Sequence, residues 1–345
     1  MAEIFREQEE VQPEQSVELS EEQSVWKTIK QMQEGSEFKR SDGISANCEI
    51  ESEGKKFRIE VIEDGKDPAL SEVQELLEKT FSEEEVDSEE ILRSSVDGVT
   101  PWDTEDTNYR IVTVRDEKGK LVSVFGGAPL DCQNEKGEPT GEQVYYVGYA
   151  ASARGSRKKG LAREAYISAL IDATKRAGEE SKQLKFAMGE CTHTSEKFWN
   201  NVGWKRIYAQ TGDKKQYTEL PYIQPALDFD EKTGEIAEGA SECPEHLMID
   251  SFGRMPPSKE DVKGAYDSML HFCADWPEEA FENPQAFEVN KKYMAGVRAE
   301  FHEFLDKTDK LIYLDAENRK KAKKTGVKIR NHTDADRRDA GKEDF

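Results

Sequence analysis

The feature that most narrows the fold is a six-residue run, Arg157-Lys158-Lys159-Gly160-Leu161-Ala162, set between a strand-like segment and a helix with an alanine face. Before it, Val144-Tyr145-Tyr146-Val147-Gly148-Tyr149 is rich in the β-branched and aromatic residues that suit a pleated, half-buried surface. After it, Ala162, Ala165, Tyr166, Ala169, Ala173 and Ala177 recur at helical spacing, widened by Ile167, Leu170 and Ile171. Such a face lets a helix lie close against a sheet. A second strand signal, Leu184-Lys185-Phe186-Ala187-Met188, follows at once. Strand, turn, helix and strand in this order predict an α/β domain.

The turn has a chemistry of its own. The first N–H groups of a helix have no partner within it, and the helix dipole adds positive potential there. An anion such as a diphosphate is accommodated at that end. Gly160 permits close backbone approach, Ala162 leaves room, and Arg157, Lys158 and Lys159 add cationic donors. The spacing is neither G-x-x-x-x-G-K-S/T nor G-x-G-x-x-G, so nucleotide P-loop and dinucleotide fingerprints are excluded.

The rest of the chain arranges itself around this unit. Residues 1–50 read as an acidic, partly disordered leader, with eight Glu against one Arg before Val25 and a short helix near 25–32. The folded domain is expected over 51–255. It opens with the alternating Phe57-Arg58-Ile59-Glu60-Val61-Ile62, followed by helices over 68–81 and 84–94 and a strand pair at 109–114 and 121–125. Further elements are a short helix over 195–201, a strand at 205–209 and a returning strand at 246–252. Between them, 210–245 carries Pro221, Pro225, Gly234 and Gly239 and reads as an irregular insertion. Residues 256–345 are predicted to be a helical extension ending in a basic tail, Arg319-Lys320-Lys321-Ala322-Lys323-Lys324.

Composition sets limits. Of 345 residues 35% are charged, and the net charge of −23 disfavours nucleic acid as a partner and favours a cationic one. The five cysteines form no C-x-x-C pair, so neither a disulfide framework nor a zinc site is expected and a reducing cytoplasm fits. No signal-peptide pattern and no apolar run of membrane-spanning length is present, so the expectation is a soluble, cytoplasmic protein without a membrane partner.

The Arg157, Gly160 and Ala162 positions resemble the R/Q-x-x-G-x-G/A signature of the GNAT superfamily of acyl-CoA N-acyltransferases. Phe198-Trp199-Asn200-Asn201-Val202-Gly203-Trp204 is similar to that family's later aromatic motif. The resemblance covers roughly residues 57–208. It implies a mixed, mostly antiparallel central sheet flanked by helices, with acetyl-CoA or another acyl-CoA as co-substrate, no metal, and a small-molecule or peptide amine as acceptor. It further implies that Val147 or Gly148 offers a backbone N–H to the thioester carbonyl. The pantetheine arm would enter between the fourth and fifth strands of the family's sheet. Arg157, Lys158, Lys159, Gly160, Leu161, Ala162 and Trp199 would line the CoA site. The chain departs from the pattern twice: the loop 150–156 is long, and Trp199 stands where the family often carries a proton-donating tyrosine.

Amine acylation needs a base for the amine, polarisation of the carbonyl and a stabilised thiolate. Glu190, at the end of the 184–188 strand, is the first candidate base, with a capping role as its alternative; His193 is the other candidate. Tyr208, Tyr149 and Cys191 are the candidate acids, although a thiolate also leaves tolerably unaided. A CoA-binding regulatory protein without turnover and a longer-chain acyltransferase remain open. The 210–245 insertion and the helices after Ser258 are expected to shape the acceptor site or a homodimer interface.

Overall fold

Apolar residues on both sides of the long strands demand helical cover on both faces of one sheet, and the computed structural model shows that arrangement. It describes residues 21–81, 85–98, 109–134, 138–192, 195–210, 216–314 and 316–331. The chain runs through α1 (Glu21–Glu34), β1 (Lys39–Arg40), β2 (Cys48–Ser52) and β3 (Lys55–Ile62). Next come α2 (Ala69–Glu78), α3 (Glu89–Val96), β4 (Arg110–Asp116), β5 (Leu121–Gln133) and β6 (Pro139–Ser152). Then α4 (Leu161–Glu179), β7 (Gln183–Cys191), α5 (Glu196–Asn201) and β8 (Lys205–Gln210) follow. After β9 (Gln216–Glu219), β10 (Ile223–Gln224) and β11 (Cys243–Pro244) comes β12 (His246–Asp250). The remainder is α6 (Lys259–Cys273), α7 (Pro284–Asp306), β13 (Lys310–Tyr313), α8 (Ala316–Lys324) and β14 (Lys328–Arg330).

The sheet order is β1-β2-β3-β4-β5-β6-β7-β12-β8-β9-β14, with β13 also on β8. Pairing is antiparallel except for β6 with β7 and β9 with β14. This is the mixed, mostly antiparallel α/β fold the sequence implied. One face is covered by α1, α4 and α5, the other by α2, α3, α6 and α7. The alanine stripe behaves as its composition requires: Ala165, Ala169, Ala173 and Ala177 are all buried against the sheet. Helix starts follow local chemistry. Ser88 caps α3 by accepting from Ile91 N–H, Ser258 and Asp261 form a capping box on α6, and Asn283 precedes Pro284 at the start of α7.

Four expectations change. Residues 21–50 are part of the fold rather than a leader: Val25, Ile29 and Met32 of α1 are buried, and β1 and β2 extend the sheet. The crowded acid before Val25 masks a short apolar stripe. Residues 1–20, the rest of the proposed leader, lie outside the described residues. The helix expected over 84–94 starts only at Glu89, with residue 84 outside the described residues. Within 210–245, Leu220, Tyr222, Ala226 and Phe229 are buried, although residues 211–215 lie outside the described residues. The 256–345 extension shares its core with the sheet through Val262, Tyr266, Met269, Phe301 and Leu305, and lends it β13 and β14. No helix among the described residues is long and apolar enough to cross a membrane.

Asp250 closes β12 in the interior. Its Oδ1 accepts from Phe252 N–H at 2.8 Å and its Oδ2 from the Tyr166 hydroxyl of α4 at 3.2 Å. Burial pushes its pKa up from 3.8 to about 6. The folded state therefore holds this proton more tightly than the unfolded chain. The associated stability is complete below pH 3.8 and is lost as pH rises through about 6. At roughly 1.4 kcal/mol per unit, the loss is about 3 kcal/mol. Asp250→Asn should flatten this part of the stability profile in urea titrations between about pH 4 and pH 7. Parallel wild-type and variant profiles would refute the buried titration.

Candidate active site

The turn after β6 is built as its residues suggest. Gly160 is the N-cap of α4 with φ 78°, the left-handed region, and Lys158 also has a positive φ of 64°. The first hydrogen bond within α4 runs from Glu164 N–H to Gly160 C=O, so the N–H groups of Leu161, Ala162 and Arg163 precede the helix ladder. No side chain caps this end. Around it, Arg157 is half-buried and donates to the Ser152 carbonyl at 3.2 Å, while Lys158 and Lys159 are exposed. Phe38 walls one side, 3.4 Å from where a Gly160 Cβ would stand. The first turn of α4 is fixed from below: buried Glu164 pairs with Arg40 at 3.1 Å and accepts from Ser36 at 2.5 Å, and Arg40 also donates to Ser168 at 2.7 Å.

β6 and β7 pair from Glu142 opposite Gln183 to Val147 opposite Gly189, with one register shift between Gln143 and Val144, and there they part. At the same place the β5–β6 register slips, since Gly126 faces Tyr149 and Gly127 faces Val147. Gly148 is thus a β-bulge residue with no register partner on either neighbouring strand, and it is exposed. Because β6 and β7 are parallel and α4 follows β6, the parting and the bare helix end share one edge of the sheet. Ligand sites of α/β sheets gather at this edge, beyond the carboxyl ends of the strands.

Glu190 is the next residue of β7. It is half-buried, faces the α6 side of the sheet, and accepts from the hydroxyls of Tyr146 of β6, at 3.4 Å, and Tyr222 of the insertion. Burial, and then the Glu190 charge, push both phenols well above their ordinary range, so they remain protonated donors. Tyr266 meets Tyr222 edge-on, and Phe272 packs on Tyr146 with ring centroids 5.7 Å apart. An aromatic shell from three separate parts of the chain thus surrounds one carboxylate.

The other predicted residues are more scattered. Tyr149 lies on the same face as Glu190, but its hydroxyl donates to Asp87 at 2.8 Å and accepts from the Asp87 N–H. Tyr208 lies on the opposite face, within reach of Asn331 and Arg319. Cys191 points to that face too, and burial pushes its thiol well up. Trp199 is packed in the core among Phe125, Phe198 and Trp204. His193 lies outside the described residues. Tyr146, Tyr222 and Phe272 were not foreseen. Alternation along 144–149 puts Tyr146 on the inner face, whereas nothing local marks Tyr222, which stands between prolines. Among the described residues no cluster of His, Cys, Asp and Glu is suited to a metal. An open depression between Gly65 and α3 includes none of these residues.

No known family profile matches the sequence, and neither does any curated protein. Solved structures do. An Arabidopsis thaliana NAA60, in complex with a bisubstrate analogue, is 8% identical, with 55% of this chain and 96% of that one covered and a TM-score of 0.33. The ribosomal-protein-S18-alanine N-acetyltransferase from Escherichia coli is 12% identical, covering 58% and 96% at a TM-score of 0.33. An aminoglycoside 6'-N-acetyltransferase complexed with coenzyme A is 13% identical, covering 58% and 99% at 0.34. Likeness at this level identifies no activity.

The backbone at Gly160 can be tested directly. An alanine there must hold φ near 78°, while its Cβ would meet Phe38 only at ordinary contact distance. Gly160→Ala should therefore lower stability by about 1–2 kcal/mol in chemical denaturation, the usual cost of a left-handed residue. An unchanged midpoint would contradict the left-handed cap.

Proposed function

We propose that the protein is an acyl-CoA-dependent N-acyltransferase, most simply an acetyltransferase, acting on a primary amine of a small molecule or peptide. The reading rests above all on the parting of β6 from β7 at Val147 and Gly189, beside the Gly160-capped end of α4. The diphosphate of CoA would take the N–H groups opening α4, with Arg157, Lys158 and Lys159 at its rim. The pantetheine arm would run between the parted strands and bring the thioester to Gly148.

Glu190 stands just past the parting, suited to take a proton from the acceptor ammonium. Tyr146 and Tyr222 hold its carboxylate in place. The amine then attacks the carbonyl carbon, the carbonyl pair moves to oxygen, and collapse of the adduct breaks the C–S bond while the second nitrogen proton passes to solvent water. The electron pair leaves on the CoA sulfur. Tyr208, Cys191 and Trp199 are poorly placed to protonate it, and Tyr149 is engaged by Asp87. The thiolate would leave without a dedicated acid, which its stability near neutral pH allows. A net charge of −23 suits a cationic acceptor.

Burial of Trp199 where the family often has its acid supports a second reading, CoA binding without turnover. Release of free thiol from acetyl-CoA across a panel of amines separates the two. Under the catalytic reading, Glu190→Gln should lower kcat by roughly 10²–10⁴-fold, the usual contribution of a general base, with acetyl-CoA affinity unchanged by calorimetry. Undiminished turnover would remove Glu190 from the mechanism, and thiol release from no amine would leave the binding reading.

A further inference from the structure

Tyr109 is the residue just before β4, and its phenol lies against the β5–β6 bulge. The side chain is 3% exposed, and its hydroxyl oxygen is buried with no hydrogen-bond partner among the described residues. Buried hydroxyls are ordinarily satisfied. This one lies against the bulge. A Cβ built on Gly148 would stand 3.0 Å from the Tyr109 oxygen, and one on Gly126 would stand 2.5 Å from it. Two glycines, one on each strand of the bulged pair, thus leave the space that the hydroxyl occupies. The ring is held from the other side by Phe272 of α6, stacked at 6.0 Å with an interplanar angle of 11°.

We propose that the Tyr109 hydroxyl donates a hydrogen bond to the acyl oxygen of the bound thioester, beside the Gly148 backbone, and so stabilises the oxyanion formed when the amine attacks. The inference rests on the acyltransferase reading and gives it the carbonyl-polarising side chain that the sequence did not disclose. The phenol keeps its proton throughout. The carbonyl π pair moves onto oxygen as the N–C bond forms and returns as the C–S bond breaks. The amine, already freed of its ammonium proton by Glu190, gives its second proton to solvent as the adduct collapses, and the thiolate carries away the electron pair of the C–S bond. Burial pushes the Tyr109 pKa well up, with the Asp87 charge adding to it, so at neutral pH the group is a donor rather than a proton source. Donors fixed in advance where charge develops cost no reorganisation during the reaction. Oxyanion donors of this kind typically contribute about 10²–10³-fold in kcat.

Tyr109→Phe removes one unpartnered oxygen, so the variant should fold and be at least as stable. The primary readout is the carbonyl stretch of [1-¹³C]acetyl-CoA bound to each protein, by isotope-edited infrared difference spectroscopy. A hydrogen bond from Tyr109 lowers the wild-type frequency relative to the variant, and in amine-dependent thiol release the variant should lose about 10²-fold in kcat with calorimetric acetyl-CoA affinity unchanged. Coincident carbonyl bands in the two proteins would overturn the assignment of Tyr109 while leaving the acyltransferase reading intact. Failure of the wild type to bind acetyl-CoA would overturn both.

Discussion

The constraint on which the rest depends is that β6 and β7 stop being neighbours after Val147 and Gly189 while each remains tied on its far side. β5 holds β6 through Ser123 opposite Ser152, and β12 holds β7 through His246 opposite Cys191. A parted strand pair would ordinarily strand its backbone groups or collapse together. Here the outer partners keep both strands extended, and the opening between them persists as part of the sheet. The bulge at Gly148 follows from the same geometry, because it turns the end of β6 without breaking its ladder with β5.

Much of this was legible in the residues. Arg157, Gly160 and the alanine stripe marked a strand, a turn and a close-packed helix, and each is found where the spacing put it. Glu190 was placed by its position at a strand end. The partners of Glu190 were hidden for a physical reason: Tyr146, Tyr222 and Tyr266 come from a strand, an insertion and a distant helix, and only the tertiary fold gathers them. Tyr208 lies on the face away from Glu190, which was hidden because a strand's two faces cannot be told apart until its neighbours are known, and Trp199 of helix α5 is packed among aromatic rings that only the tertiary fold assembles. Helix α1 was missed as part of the domain since its apolar stripe is short and its preceding sequence strongly acidic.

Charge is used inside the fold as well as on it. Arg206 of β8 pairs with Glu196 at 2.8 Å and Glu219 at 3.3 Å, His246 approaches Glu219 at 2.8 Å, and Arg319 reaches Glu196 at 2.6 Å. Arg319 is the first residue of the basic run that reads as a solvated tail. Its guanidinium turns inward to a buried carboxylate, whereas Lys320, Lys323 and Lys324 of the run are exposed. A network of this kind is specific rather than strongly stabilising, because desolvation of each charge offsets much of the attraction. It nevertheless fixes where the C-terminal segment meets the sheet.

The position of β12 has a consequence for how the chain acquires its shape. β8 is made before β12, yet β12 lies between β8 and β7, so the central sheet cannot close until residue 250 has been synthesised and the 35 residues between β8 and β12 have folded out of the way. Until then both β7 and β8 present open edges, the kind of surface that pairs with other chains. Assembly is thereby weighted toward contacts of long sequence separation, which form slowly. β6 and β7, the two walls of the slot, are both made by residue 191, but the outer tie that holds β7 open arrives only with β12.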